Sequence, residues 1–211
     1  MKWILFTGSW RTINKEVEND VRTATREVLS HGDGIVTGGT TGVDFFAIDE
    51  AMKLFPDASR LKVIIPAFLN NYIINYRTNW CKKPITDEII NNLEKLLVKI
   101  IDVNPSAVIQ IQNDTIIDDK EYLLRNTEEV KISDEVFAFQ INNSFGTQDT
   151  IDKAINAGLP ISLYKKYNIY MNIVWNRNDY HSNHLLSFIH FLLIILVIIG
   201  IILLCLKIFG C

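Results

Sequence analysis

The sequence predicts a doubly wound α/β fold, with a parallel β-sheet between helices, followed by one membrane-spanning helix. Short apolar runs alternate with amphipathic stretches over residues 1–164, which is typical of strands that alternate with helices. Loops rich in glycine or hydroxyl residues follow several of these runs. Residues 185–206 then form a run of 22 residues without a formal charge.

The first third of the chain predicts three strands and two helices. Apolar runs predict strands over about residues 3–7, 34–37 and 62–65. Apolar residues at helical spacing predict helices over about residues 14–30 and 43–54. Gly32 follows the first of these helices at the position where a glycine commonly ends a helix.

Residues 67–120 are predicted to be an inserted helical segment, because the regular alternation of strand and helix stops there. One clear helix in this segment begins after Thr86, whose hydroxyl suits an N-cap, and ends before Pro105. Residues 107–111 form a candidate short strand. Candidates for a lid over a binding site in this segment are Tyr76, Arg77 and Trp80.

The alternation of strand and helix resumes after residue 120. The predicted elements are a helix over about 120–132, a strand over 135–139, a helix over 147–157 and a strand over 160–163. One α/β domain is therefore predicted for residues 1–164. The polar and aromatic residues 165–184 are predicted to be a connector.

The apolar run at 185–206 predicts a transmembrane helix. In helical form it would span about 33 Å, which matches a hydrocarbon core of about 30 Å. It has no polar stripe, whereas a helix at the surface of a soluble core normally has one. Only residues 207–211 follow it. We therefore expect a single-pass membrane protein with a C-terminal anchor and a cytosolic head.

Charge and cysteine content exclude several other classes of protein. Lys207 is the only charged side chain after residue 184, so the preceding part carries 20 basic and 24 acidic side chains. This net charge of −4 gives no strong nucleic-acid signal, since nonspecific binding depends on dense Lys and Arg. Cys81, Cys205 and Cys211 show neither metal-site spacing nor an even disulfide set, so no metal site is predicted.

Three strand-to-helix loops carry the candidate ligand-binding residues, because the carboxyl ends of parallel strands form the ligand crevice of such a sheet. Glycines let the backbone approach a phosphate, and free N–H groups at a helix start attract an anion. None of the loops is a Walker A loop or a complete G-x-G-x-x-G motif. The loop candidates are Gly8, Ser9, Trp10 and Arg11, then Gly38, Gly39, Thr40, Gly42 and Asp44, then Ser144, Gly146 and Thr147.

Several of these residues have two open interpretations. Arg125, on a predicted helix, and Arg11 are each either a phosphate clamp, for which a guanidinium is well suited, or a solvated surface side chain. Trp10 either stacks on a base or packs at the rim of the site. Asp44 either binds a ribose hydroxyl or caps the helix that starts beside it.

The loop at residues 38–44, together with Ala47, resembles the GGAxGxDxxA loop of the SLOG superfamily, which is named for its DprA/Smf and LOG members. Thr40 stands where that pattern has alanine. Arg125 and Asn126 resemble the RN pair of the YspA-like branch, and residues 134–161 are similar to the later strand, loop and helix of the superfamily. The resemblance covers residues 1–66 and 121–164.

The resemblance implies a Rossmann-like pocket for a nucleotide or a nucleotide-derived ligand, such as an ADP-ribose-like compound. Members of the superfamily act as ligand sensors, as DNA-handling proteins or as LOG-type phosphoribohydrolases, which release a base from a nucleoside monophosphate. This chain departs from the LOG motif Pro-Gly-Gly-x-Gly-Thr-x-x-Glu, since Asn143 and Ser144 replace the two glycines and Thr150 replaces the glutamate.

The expected function is therefore a membrane-anchored sensor that binds a nucleotide-derived small molecule and has no catalytic residue of the LOG type. The loss of the motif's carboxylate argues against that chemistry, since it removes the acid/base or electrostatic group that would work on the ribose. Two alternatives stay open: a membrane-anchored LOG-type phosphoribohydrolase and a DprA-like DNA-binding protein. Assembly into a homo-oligomer stays open as well.

Overall fold

A computed structural model describes residues 1–80, 85–111 and 117–169 of the chain. Six strands form one sheet in the order β4-β3-β2-β1-β5-β6, and every neighbouring pair is parallel. The strands are β1 (Trp3–Gly8), β2 (Gly34–Thr37), β3 (Leu61–Ile65), β4 (Val108–Gln110), β5 (Glu135–Ile141) and β6 (Ile161–Tyr167). The strand order reverses between β1 and β5, and a ligand crevice is expected at such a point.

Helices cover both faces of the sheet, as predicted. Ile4 and Phe6 of β1 share a buried apolar cluster with α1 to α4, whereas Leu5 joins a second cluster with α5 and α6. This alternation follows from the period of two along a strand, so a strand buried on both faces is apolar at every position. The helices are α1 (Lys15–Ser30), α2 (Val43–Leu54), α3 (Leu69–Asn75), α4 (Asp87–Val103), α5 (Asp119–Lys131) and α6 (Phe145–Asn156).

Side-chain caps fix the first turns of three helices. Asn14 accepts a hydrogen bond from the amide of Val17 at the start of α1, and Thr86 accepts one from Ile89 at the start of α4. Asp118 forms a reciprocal capping box with Glu121 at the start of α5. The cap at Thr86 confirms the predicted start of the helix in the middle segment.

Residues 67–120, which the sequence predicts to be an inserted segment, belong to the main fold in the ranges that the structure describes. The predicted strand at 107–111 is confirmed as β4, which extends the sheet beside β3. Tyr72 of α3 and Leu97 of α4 lie in the same buried cluster as α1 and α2. A π-helix, Tyr76–Trp80, continues α3 and leads towards the binding edge of the sheet.

The last strand is longer than the sequence predicts. β6 continues to Tyr167, whereas the predicted connector begins at residue 165. The hydroxyl of Tyr167 donates to Asp20 at 2.7 Å, and the ammonium of Lys165 lies 2.9 Å from the same carboxylate. These contacts with α1 hold the C-terminal end of β6 in place. Because this end of the edge strand is polar, its composition resembled that of a connector, and the prediction ended the strand too early.

Residues 1–169 form one compact unit. The predicted transmembrane helix at 185–206 and most of the predicted connector lie outside the described residues. Within the described ranges, no helix combines the length and apolar character needed to cross a bilayer.

Candidate functional site

A cavity of about 450 Å³ opens at the carboxyl ends of β1 and β5, beside the reversal in strand order. The loop after β1, part of the loop after β2 and the loop before α6 line this cavity, and α5 and the π-helix complete its walls. The volume lies within the range of small-molecule sites. The sequence prediction of a site at this edge of the sheet therefore agrees with the geometry.

The structure brings eleven of the fourteen candidate residues together around this cavity. Gly38, Gly39 and Gly42 are the three that do not line it. The lining candidates are Gly8, Ser9, Trp10, Arg11, Thr40, Asp44, Arg125, Asn126, Ser144, Gly146 and Thr147.

The three glycines of the loop after β2 are packed against protein atoms. A Cβ on Gly39 would lie 2.7 Å from a methyl carbon of Val63 and 2.8 Å from one of Ile65. A Cβ on Gly42 would lie 2.8 Å from the Cα of Trp10. Gly39 and Gly42 also have φ angles of +65° and +75°, which side chains disfavour. A side chain at Gly39 would therefore enter the core beside Val63 and Ile65 and would not fill ligand space.

The exposed rim of the cavity holds an arginine between two tryptophans. The guanidinium carbon of Arg11 lies 4.0 Å from the ring centroid of Trp10 and 4.7 Å from that of Trp80. Trp10 and Trp80 meet edge to face at 5.1 Å, and Trp10 meets Tyr76 at 6.0 Å. Among the described side chains, no carboxylate forms an ion pair with Arg11. Arg11 therefore has no acidic partner among the residues that the structure describes.

The π-helix accounts for two of the three lid candidates. Tyr76 and Trp80 line the cavity. Arg77 points elsewhere, since its guanidinium lies 2.6 Å from a carboxylate oxygen of Glu94 on α4. Trp10 thus packs within an aromatic group at the rim, and its ring also borders the cavity, so both interpretations of Trp10 fit its position.

The first turn of α6 borders the cavity. Ser144 is the N-cap, and its side chain does not cap the helix. Its hydroxyl instead lies 2.5 Å from the hydroxyl of Thr147. The first amides of a helix lack acceptors within that helix and carry partial positive charge. A Cβ on Gly146 would meet no atom within 4 Å, so this loop leaves open space beside the amides.

The buried floor of the cavity consists of one guanidinium between two carboxyl groups. The Arg125 side chain is only 11% exposed, so it is not a solvated surface residue. Its Nε lies 3.3 Å from Oε1 of Glu129, and its Nη1 lies 3.9 Å from Oδ2 of Asp44. Nη1 also donates to the carbonyl of Gly38 at 2.8 Å.

Burial determines how the floor residues titrate. Burial raises the pKa of Glu129 to about 8, and the Arg125 guanidinium opposes this only in part. Burial also raises the pKa of Asp44, against the opposing effects of Arg125 and of hydrogen bonds from Thr40. Burial lowers the pKa of Arg125, but Glu129 and Asp44 more than offset this effect and raise its pKa overall. Asp44 and Glu129 therefore compensate the cation on the floor.

Asp44 is held within its own loop. Its Oδ2 accepts from the amide of Thr40 at 3.1 Å and from the hydroxyl of Thr40 at 2.8 Å. It does not cap α2, where Gly42 is the N-cap and no side chain bonds to the helix start. Asp44 therefore shapes the loop after β2. Because Oδ2 already accepts two hydrogen bonds from Thr40, the carboxyl group has fewer acceptor sites left for a ligand.

Asn126 connects the floor to α6. Its amide oxygen accepts from Nη2 of Arg125 at 2.9 Å, and its amide nitrogen donates to Asp149 at 2.8 Å. Lys153 also lies 2.7 Å from Asp149, so this carboxylate belongs to the junction between α5 and α6. Thr150, which replaces the glutamate of the LOG motif, lines the cavity and donates to the carbonyl of Gly146 at 3.2 Å.

The sequence interpretation missed Glu129 and Tyr122, which also line the cavity. The signal was present in the spacing along α5. Residues 125, 126 and 129 lie three, four and seven positions after Tyr122, which places all four on one helical face. Asp119, at the start of α5, borders the same cavity.

Comparisons with known proteins identify the fold. No protein-family model and no curated protein sequence matches the chain. DNA processing protein A from Helicobacter pylori, described for its single-stranded DNA binding, has a TM-score of 0.53 at 17% identity over 91% of this chain and 80% of its own. DNA processing protein A from Streptococcus pneumoniae has a TM-score of 0.49 at 15% identity over 88% of this chain and 56% of its own. The chain therefore has a Rossmann-like fold of the DprA type.

Proposed function

We propose that this chain is a membrane-anchored module that binds a nucleotide or a nucleotide-derived ligand in the cavity between β1, β5 and α5. One observation carries the proposal: a guanidinium that pairs with no described carboxylate and the first turn of a helix border the same cavity. Arg11 supplies the charge, and the amides of Phe145 and Gly146 supply donors. A guanidinium and helix-start amides are both favourable partners for a phosphate.

The aromatic wall of the rim fits the other half of a nucleotide. Trp10, Trp80 and Tyr76 border the cavity, and Trp10 meets the other two rings edge to face. Stacking of a base on an aromatic side chain contributes about 1–3 kcal/mol in single-stranded nucleic-acid complexes. A base at this wall would displace solvent from ring surface and keep the phosphate close to Arg11.

The proposal includes an anchor at 185–206, which would keep the binding domain at a membrane on its cytosolic side. The support is the 22-residue run without a formal charge in the sequence. Such a module would act as a sensor, with the anchored segment responding to ligand occupancy or to assembly of several copies. Thr150 in place of the LOG glutamate favours binding without turnover.

The test is a thermal-shift and calorimetric titration of the full chain in detergent with AMP and ADP-ribose. We expect stabilisation by at least one of them and no released base. Arg11→Gln should weaken binding about tenfold, because it removes a charged donor to the phosphate. Arg60→Gln is the matched control, since Arg60 precedes β3 at the opposite edge of the sheet.

Two results would contradict this proposal. The first is the absence of stabilisation by either nucleotide, combined with salt-dependent binding of a single-stranded oligonucleotide, which would indicate a DNA-binding protein. The second is steady release of free base, which would indicate a phosphoribohydrolase. Equal weakening by Arg11→Gln and Arg60→Gln would remove the assigned role of the rim arginine.

A further inference from the structure

The floor of the cavity differs from the rim in its charge. Asp44, Arg125 and Glu129 together hold one cation and two acids, so their summed charge is zero when one acid is protonated and −1 when both are ionised. The floor carries a net positive charge only when both acids are protonated. A phosphate would therefore meet no net attraction at the floor, whereas Arg11 attracts it at the rim.

Two N–H groups of Arg125 are engaged by hydrogen bonds within the protein. Nη1 donates to the carbonyl of Gly38 and Nη2 donates to the side chain of Asn126. Nε lies beside Oε1 of Glu129 at 3.3 Å. Since Arg125 already pairs with the carboxyl groups of Asp44 and Glu129, its charge attracts a phosphate less than the charge of Arg11 does.

Glu129 has unused hydrogen-bonding capacity in the lining of the cavity. Its side chain is 3% exposed, and Oε1 is buried without a hydrogen-bond partner. A buried acceptor without a partner is unfavourable, and a ligand donor that reaches the carboxyl group would relieve this cost. Since burial raises the pKa of Glu129 to about 8, its carboxyl group also has a proton to donate at neutral pH.

A vicinal diol has the chemistry that matches such a carboxyl group, because each hydroxyl both donates and accepts. A phosphate accepts hydrogen bonds and carries negative charge, so it matches Arg11 at the rim and not the floor. The base of a nucleotide matches the aromatic residues of the rim. The sugar of a nucleotide lies between its base and its phosphate, so its hydroxyls are the groups left for the floor.

We infer that the floor is a subsite for the free 2′,3′-diol of a ribose, with Glu129 as the residue that bonds to the hydroxyls. This inference rests on the proposed nucleotide function and names the part of the ligand that the site selects. It also predicts rejection of nucleotides that carry a phosphate on the 2′ or 3′ oxygen. Arg125 and Asn126 are positioning residues in this subsite, since they hold Glu129 and α6 in place.

The inference is tested by calorimetric titration of the full chain with three compounds: AMP, 2′,3′-dideoxy-AMP and adenosine 3′,5′-bisphosphate. We expect AMP to bind at least about tenfold more tightly than either of the others, as for the loss of one hydrogen bond to a carboxyl group. Glu129→Met should reduce AMP affinity to that of the dideoxy compound. Glu128→Gln is the matched control, because Glu128 pairs with Lys131 and does not line the cavity.

The outcomes separate this inference from the proposed function. Equal affinity of the wild-type chain for AMP and dideoxy-AMP would overturn the diol subsite while it leaves nucleotide binding intact. Binding of none of the three compounds would overturn both. If Glu129→Met fails to fold, the wild-type series of three ligands still decides the question, because the change is made in the ligand.

Discussion

Two loops at the same edge of the sheet contrast in what their small residues do. The loop after β2 carries three glycines, and the atoms of Arg125, Val63 and Trp10 lie against them. The other loop leads into the first turn of α6, where a Cβ on Gly146 would meet no atom within 4 Å. A glycine can thus serve the packing of the protein or leave room for a ligand, and its presence in a motif does not distinguish these uses.

The largest expected effect comes from Gly39→Val. The new side chain would meet Val63 and Ile65 in the core at a φ of +65°, so overpacking and backbone strain act together. We expect a loss on the order of 4 kcal/mol in the free energy of unfolding, or failure to fold. Thermal unfolding of the full chain, followed by circular dichroism, measures this loss.

Gly146→Ala is the matched substitution in the open loop. Alanine meets no neighbour there and lies in the first turn of α6, so stability should stay within about 1 kcal/mol of wild type. If Gly39→Val and Gly146→Ala destabilise the chain equally, the contrast between the two loops does not exist.

Arg125→Met is expected to have the next largest effect. It removes the cation between Asp44 and Glu129 and leaves two buried acids without their partner. Removal of one member of a buried ion pair typically costs about 3–5 kcal/mol. The melting temperature should therefore fall. A stable variant that only loses ligand affinity would instead show that Arg125 is a free phosphate clamp.

Glu129 should make stability depend on pH. Its pKa is about 8 in the folded chain against an ordinary value of 4.5, so the folded state keeps a proton that the unfolded chain has released. Its contribution is fully present below about pH 4.5 and is lost as pH rises through 8. The charged groups that face it are Arg125, Asp44, Lys153 and Asp149.

Glu129→Gln removes this ionisation. The melting temperature of the variant relative to wild type should therefore rise between pH 5 and pH 9, by the equivalent of about 1–3 kcal/mol. Glu128→Gln should show no such trend, since Glu128 is partly exposed beside Lys131. A constant difference between Glu129→Gln and wild type across this range contradicts the buried state of the carboxyl group.

The smallest expected effect comes from removing the backbone N–H of Phe145, which is tested separately from the loss of its side chain. Phe145→Pro removes one N–H at the first position of α6, where proline is well tolerated, and Ser144 already has the extended backbone that precedes proline. AMP affinity should fall about tenfold or less, with the fold intact. Phe145→Ala keeps the amide and removes the ring, which is 75% exposed, and should bind AMP as wild type does.

Much of the fold follows from the sequence because its signals are local. The side chains of β1 alternate between the two apolar clusters, and Thr86 caps α4. Each of these features depends on residues within one element, and the structure has both. β4 is only three residues long, so its place at the sheet edge depends on pairing with β3 over a long sequence separation. No local pattern shows that the described residues between 67 and 120 share the main core.

The position of the cavity was predictable from the sequence, but the pairing of charges on its floor was not. Strand ends and glycine loops locate the cavity, since parallel strands bring their carboxyl ends together. The compensation of Arg125 depends on Asp44 and Glu129 from two separate elements, so it becomes visible only in three dimensions. The spacing of Arg125 and Glu129 on α5 was a signal for half of that contact, but the sequence interpretation did not use it.

The most direct test of the central claim is an amide NMR titration of the full chain, labelled with nitrogen-15, against AMP. If the phosphate binds between Arg11 and the first turn of α6, the largest shifts should occur at the amides of Phe145, Gly146 and Thr147. The amides of Gly39 and Gly42 should move little, because these glycines are packed against protein. Largest shifts in the loop after β2, or no shifts at α6, would contradict this assignment.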